Sequence, residues 1–280
     1  SISSGISAEI IQKSPDRNTS EVLKRVSGAS IQNNKFVVIR GLGDRYNTSM
    51  LNNSLLPSTE PDKKAFSFDI IPANLIDNLI VYKTASPDLP GDFAGGIIQV
   101  VTKDVPDQSY LSFSTSWGYN TQSTFNDFTS NKRGGLDYLG LVDSDRKFPS
   151  SFPKSFKDYN PLPAQQKVNF SKLLPNAYGE QTYTALPSQN HQITWGNRKD
   201  FENGGSLGSI VSLSYRNSQS INPVQRNDYQ NDFRDTYYNY NDIQNIFNTS
   251  IGVLANITYK KGKNKFSFKN LLNNVLEDTY

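Results

Sequence analysis

The sequence predicts a small α+β domain over residues 1–106, followed over 107–280 by about five antiparallel strands that open a large transmembrane β-barrel. Three observations carry this. In the first hundred residues, short apolar runs bounded by turn residues accompany one capped helix signal. Beyond residue 107 the pattern changes to alternation, over segments of about the 9–11 residues that a tilted membrane strand needs. The connections between those segments run long, short, long, short, as outer-membrane barrels alternate long extracellular loops with short periplasmic turns.

Within the first domain, Asn18-Thr19-Ser20-Glu21 predicts a helix start, with Asn18 as cap and Glu21 three residues on. Val22, Leu23 and Val26 supply its apolar stripe, and Gly28 is placed to end it in a left-handed conformation. The run Phe36-Val37-Val38-Ile39 predicts a strand that ends at Arg40-Gly41. Residues 48–51 predict a second strand, closed by Asn52-Asn53, a pair that tolerates the positive φ of a tight turn. A helix-like turn at 73–77 leads into a third strand at 79–83. Gly95-Gly96 launches a fourth at 97–102.

In the second segment, Leu111, Phe113, Thr115, Trp117 and Tyr119 alternate with Ser112, Ser114, Ser116, Gly118 and Asn120. The first set is expected to face lipid, with Trp117 and Tyr119 in the aromatic girdle. Further strands are predicted at 191–200, 207–216, 250–260 and 265–274. Leu207, Val211, Leu213 and Tyr215 share one face of the third, and Ile251, Val253, Ala255, Ile257 and Tyr259 one face of the fourth. The connections 121–190 and 217–249 are expected as long extracellular loops, the first with a short helix near 136–142. The links at 202–206 and 261–264 are expected as tight turns. Single-chain outer-membrane barrels close with an even number of strands, from 8 upward. At ~10 residues each, five strands are an open wall, so the chain is expected to be one piece of a longer polypeptide.

Composition removes several function classes. The chain has 280 residues, 29 basic and 26 acidic, for a net charge of +3. These charges are interspersed, without the basic run that nucleic-acid binding calls for. There is no cysteine, hence no disulfide, thiolate catalysis or Cys metal site. Apolar residues make up 35% and aromatics 12%, and mean hydropathy is −0.58, which suits a barrel with a polar lumen and polar loops. The single histidine, His191, begins a predicted strand and has no carboxylate and nucleophile to work with. No phosphate-binding loop or HExxH motif occurs, and no enzyme is predicted. The Asp, Asn and Tyr residues between 226 and 242 lack calcium-loop spacing, so no metal site and no cofactor are expected.

Three motifs then stand in a fixed order: Val22-Leu23-Lys24-Arg25-Val26-Ser27-Gly28, Ile39-Arg40-Gly41, and Gly91-Asp92-Phe93-Ala94-Gly95-Gly96-Ile97-Ile98-Gln99-Val100-Val101-Thr102-Lys103. Together they resemble the plug domain of TonB-dependent outer-membrane receptors, with its "VLKRVPG" helix, "IRG" strand end and closing "GxxAGGVIxIxTK" element. The stretch from Ser58 to Asp69 further resembles receptors of Bacteroidetes-type bacteria. The "VVDG" turn of the polysaccharide-importing subclass is absent, with Leu51-Asn52-Asn53 in its place. Nothing before Ser14 matches the TonB box.

The resemblance implies ligand-gated, proton-motive-force-coupled uptake of a nutrient across the bacterial outer membrane. The alternative is a receptor-like scaffold or accessory subunit of a larger outer-membrane assembly. It implies as partners a TonB-type energy transducer in the periplasm, outer-membrane lipid, an unidentified small ligand and other outer-membrane proteins. It assigns plug anchoring and motif roles to Arg40, Gly41, Gly91, Gly95 and Gly96. Substrate contact falls on apical plug loops at Asn33, Asn34 and Lys35, and at Ser58, Thr59, Glu60, Asp62, Lys63 and Lys64. The kind of substrate is left open among iron chelate, peptide, glycan and cobalamin.

Overall fold

The computed structural model describes residues 3–14, 16, 18–32, 35–60, 64–71, 73–141, 146–147, 149–175, 179–229 and 236–280. The chain divides into two compact units. One takes Ser1–Ser112, Ile193–Ser214 and Gly252–Leu272, the other Phe113–Gln192, Tyr215–Ile251 and Asn273–Tyr280.

The first unit contains the α+β domain. Its main sheet is mixed, in the order β1-β6-β7-β4-β5. These strands are β1 (Ser3–Ser7), β4 (Asn47–Leu51), β5 (Ser54–Leu55), β6 (Ile76–Tyr82) and β7 (Gly96–Thr102). β4 runs parallel to β7, with Asn47 opposite Gly96, while β6 runs antiparallel to β7. Helices α1 (Ala8–Gln12) and α2 (Thr19–Leu23) and a hairpin of β2 (Ala29–Gln32) and β3 (Phe36–Ile39) accompany the sheet. The cap of α2 is as expected: Asn18 Oδ1 accepts the backbone N–H of Glu21 at 3.0 Å. Gly28 does take a left-handed φ of 73°, but α2 itself stops earlier, with Lys24 as its right-handed cap. Asn52 and Asn53 have φ of 51° and 69°, the pair of positive values that a tight β4–β5 hairpin requires.

Val22, Leu23, Ile39, Phe68, Ile71, Leu79, Val81, Ile98 and Val100 form the core of this domain. A second cluster joins Leu75 of the domain to Ile210 and Leu254 of the wall strands.

Those strands form one sheet in the order β14-β13-β12-β11-β8. They are β8 (Tyr110–Gly118), β11 (Ser188–Asp200), β12 (Gly205–Tyr229), β13 (Thr236–Lys261) and β14 (Asn264–Thr279), with β9 (Asp127–Asn131) and β10 (Glu180–Thr184) paired separately between β8 and β11. In β8, Leu111, Phe113 and Trp117 are exposed as expected, and Tyr119 just beyond it is too, but Ser114 and Gly118 of the opposite set are also exposed. Val211, Leu213, Ile257, Phe266, Phe268 and Leu272 extend exposed apolar side chains over the neighbouring strands. On the other face, Ile210, Ser212, Leu254, Asn256 and Thr258 are buried.

Two expectations need correction. The segment 217–249 is not an irregular loop: β12 continues to Tyr229 and β13 begins at Thr236. The segment 121–190 carries β9, β10, α3 (Phe156–Tyr159) and α4 (Ala164–Lys172), and only a 3-10 turn at Asp137–Leu139 near the helix expected there. In the second unit Phe128, Ala185 and Phe247 form a small core, and the Arg133 guanidinium lies 4.3 Å from the Tyr183 ring centroid and 4.5 Å from that of Phe247. Among the described residues, no helix is long and apolar enough to cross a membrane.

Candidate functional site

The residues joining the α+β domain to the wall lie within the first unit. β7 ends at Thr102, and the chain then passes through Asp104 to β8. Asn52 Oδ1, in the β4–β5 turn, accepts the Thr102 backbone N–H at 2.9 Å and the Thr102 hydroxyl at 3.1 Å. From the wall, Asn256 Nδ2 of β13 donates to Thr102 Oγ1 at 2.9 Å. Lys269 Nζ of β14 donates to Asn52 Oδ1 at 3.0 Å and pairs with Asp104 at 2.6 Å. Lys265 pairs with the same carboxylate. Burial works against ionisation of Asp104, yet the hydrogen bonds and charges of Lys265 and Lys269 outweigh it and hold the carboxyl below its usual range.

Sequence reasoning gave the anchoring role to Arg40. That side chain is exposed, its backbone has a φ of 55°, and it makes no ion pair among the described residues. The contacts to β13 and β14 are made by Asp104, Thr102 and Asn52, of which only Thr102 lies within the motifs. The signal available was modest: two lysines four residues apart, 265 and 269, on the same face of a strand as Ser267 and Leu271.

The glycines of the motif differ among themselves. A Cβ on Gly95 would lie 2.1 Å from Asn47 Oδ1, and one on Gly96 would lie 2.7 Å from the Tyr82 carbonyl. Both are therefore packing requirements inside the domain, at the start of β7, rather than at the passage to the wall. Gly41 has a φ of 76°, while Gly91 has open space around it. Asn47, buried, donates through Nδ2 to the carbonyls of Val37, Leu42 and Gly43 at 2.8, 3.1 and 3.1 Å, and so holds the Ile39-Arg40-Gly41 turn.

Of the apical-loop residues, Asn33, Asn34, Asp62 and Lys63 lie outside the described residues. Ser58 Oγ donates to the Ala65 carbonyl at 2.9 Å and accepts the Ala65 N–H at 3.1 Å; Thr59 Oγ1 accepts the Ser67 N–H at 3.0 Å. These hydroxyls tie Ser58 and Thr59 to the backbone of Ala65 and Ser67. Lys64 pairs with Asp92 at 3.1 Å across an exposed surface, and a small cavity of about 110 Å³ lies beside them, under Pro57 and Phe66. Lys35 contributes its carbonyl to Phe68 N–H at 3.0 Å. No hydrogen bond of the Glu60 side chain forms among the described residues; only its backbone meets Ser58.

A cavity of about 680 Å³ opens between the β4–β5 turn and strands β13 and β14. His191, in the second unit, has Nδ1 2.8 Å from Thr115 Oγ1 and sits between the Trp117 and Tyr215 rings, an aromatic cluster with no carboxylate in it. No metal-ligand cluster forms among the described residues.

Residues 1–97 match the family model of the TonB-dependent receptor plug domain. That domain belongs to outer-membrane receptors, which are transporters and not enzymes. No curated protein sequence matches the chain. Among solved structures, the chain is similar to the siderophore receptor PirA from Pseudomonas aeruginosa, at 14% identity and a TM-score of 0.41, covering 99% of this chain and 41% of that one. For the ferric citrate transporter FecA in its unliganded form the values are 13%, 0.47, 100% and 40%. For the outer-membrane transporter YddB from Escherichia coli they are 12%, 0.44, 99% and 36%. The chain thus spans about two fifths of the length of these structures.

Proposed function

We propose that this chain forms the plug and the opening wall of a ligand-gated importer, which takes up a nutrient across the outer membrane with energy from a TonB-type transducer. The match of residues 1–97 to the plug domain carries this reading. The wall strands support it: they present apolar side chains on one face, as a lipid-facing barrel wall does, and polar ones toward the domain. Solute meets the plug at the loops around Lys35 and 58–64, where Glu60 and the exposed Lys64 remain to be read by a polar ligand. The stretch from Ser58 to Asp69 is what supports a Bacteroidetes-type receptor.

The test uses the native protein in its own outer membrane. Labelled iron chelates, cobalamin, peptides and glycans are offered to cells with and without the gene, and with and without a protonophore. The reading expects uptake of one class to stop both on deletion and on collapse of the proton gradient. The native polypeptide is expected at about 90–110 kDa, the size of a 22-strand plugged barrel with loops. Uptake of every class unchanged on deletion, with the protein held in a stable envelope complex, would replace the importer by a scaffold.

A further inference from the structure

The 680 Å³ cavity has a distinctive lining. Asn52, Asn53, Asn270, Ser267, Lys265 and Lys269 line it, together with apolar groups, and no carboxylate does. Both lysines turn to one acid behind the cavity, Asp104. Two ammonium groups against one carboxylate leave a positive charge unbalanced at the cavity wall. Lys269 is the better shielded, with 17% of its side chain exposed, so its charge is less screened than that of an ordinary surface lysine. Asn52 and Thr102 hold its ammonium in place.

We propose that this cavity is a binding site for a small oxyanion, a carboxylate or phosphate group of the imported solute. That group takes the place of Asp104 on Lys269 and Lys265 as it passes between plug and wall. A lysine ammonium suits either group, because it acts as a point charge with three donors and imposes no planar geometry. The neighbouring amides and hydroxyls supply the remaining hydrogen bonds. The displaced Asp104 carboxylate is left without its lysine partners, a cost that the incoming group must offset through its own charge pairing and hydrogen bonds. Each exchange also removes one of the links between the plug and the wall, so occupancy of the site loosens the junction at Asp104. The inference deepens the importer reading and rests on it for its meaning, though not for its measurement.

The experiment uses the full-length protein purified from outer membranes in detergent, with inorganic phosphate and acetate as probes at constant ionic strength against chloride. Calorimetry reads binding, and mass spectrometry reads the rate at which an amine-acylating reagent modifies Lys269. At least one probe is expected to bind and to slow Lys269 modification. Asp104→Asn removes the competing carboxylate and is expected to tighten binding about tenfold, the order of one partly screened charge at ~4 Å. Lys269→Met is expected to abolish it; if that variant does not assemble, the wild-type protection and the Asp104→Asn comparison decide alone. A purely structural ion pair predicts the reverse for Asp104→Asn, with a loosened junction and no gain in binding. The site is overturned if neither probe protects Lys269, or if Asp104→Asn binds more weakly than the wild type. Energised uptake that persists unchanged in Lys269→Met would also remove it, while leaving the importer standing; anion binding without any uptake would do the opposite.

Discussion

Asn47 and Gly95 occupy one space, and a double-mutant cycle on them has a calculable outcome. Asn47 Nδ2 holds three carbonyls, those of Val37, Leu42 and Gly43. Its two amide protons make two net hydrogen bonds, so at ~0.5–1.5 kcal/mol each Asn47→Ala costs about 1–3 kcal/mol. Gly95→Ala places a methyl 2.1 Å from Asn47 Oδ1, more than an ångström inside contact. Asn47 must swing away, so the single substitution forfeits the same bonds and costs about as much. Once Asn47 is alanine, the nearest remaining neighbour given for the new methyl is the Ile39 carbonyl at 3.3 Å, and its further cost falls below ~1 kcal/mol. The two changes together should cost about 2 kcal/mol less than their sum. Native-state hydrogen exchange of peptides covering 36–51, in the whole protein, reads the opening free energy of this segment. Additivity within ~0.5 kcal/mol would refute the shared-space argument.

Four further outcomes are expected. Asp104 is held ionised in the fold, so as pH falls the unfolded chain takes up its proton first. The stabilisation from this group is complete above the ordinary carboxylate value of ~3.9 and is lost as pH falls through the lower folded value; amide exchange across β7 should rise there in the wild type and not in Asp104→Asn. Leu75→Ala empties the centre of the Ile210 and Leu254 cluster and should cost about 2–5 kcal/mol, seen as faster exchange at both β6 and β12. Phe113→Arg, on the exposed apolar face of β8, should weaken assembly into bilayers by up to ~2–4 kcal/mol, measured by folding yield in vesicles. Arg40→Gly relieves a left-handed residue that has no ion pair and should be neutral or stabilising by up to ~1 kcal/mol in proteolysis of the 40–47 turn.

The domain was legible in the sequence because its signals are local. A capped helix, a β-branched run before Arg40-Gly41 and an Asn-Asn turn each need only a few neighbouring residues, and each is where it was expected. β1 and β2 escaped notice because Ser3–Ser7 and Ala29–Gln32 have little apolar content; β1 is held by the distant β6 and β2 by the adjacent β3. The wall strands were found only where alternation keeps its phase. In β12 the buried positions are even at Gly208, Ile210 and Ser212 but odd at Asn217 and Gln219. In β13 they are odd at Asn245, Phe247 and Thr249 and even from Gly252 to Thr258. A pattern that changes phase reads as a loop, which is why 217–249 was taken out of the strands. The candidate site was the least legible part. Asp104, Asn256 and Lys269 are distant in sequence, and only the fold brings them to one point.

A tilted membrane strand needs about 9–11 residues, and β12 and β13 carry 25 and 26. Lipid therefore dictates the composition of less than half of each. The remainder is under no demand for apolar side chains on its outer face, and its tyrosines, asparagines and aspartates can be exchanged freely among polar types. The ladder also sets how such a hairpin changes in length. Residues added or deleted at the tip in facing pairs, one on each strand, leave the register below untouched, whereas an odd change must be absorbed by the turn. Related chains should accordingly differ most in length between Tyr229 and Thr236, in even steps, with Gly205 and Lys261 fixed at the base.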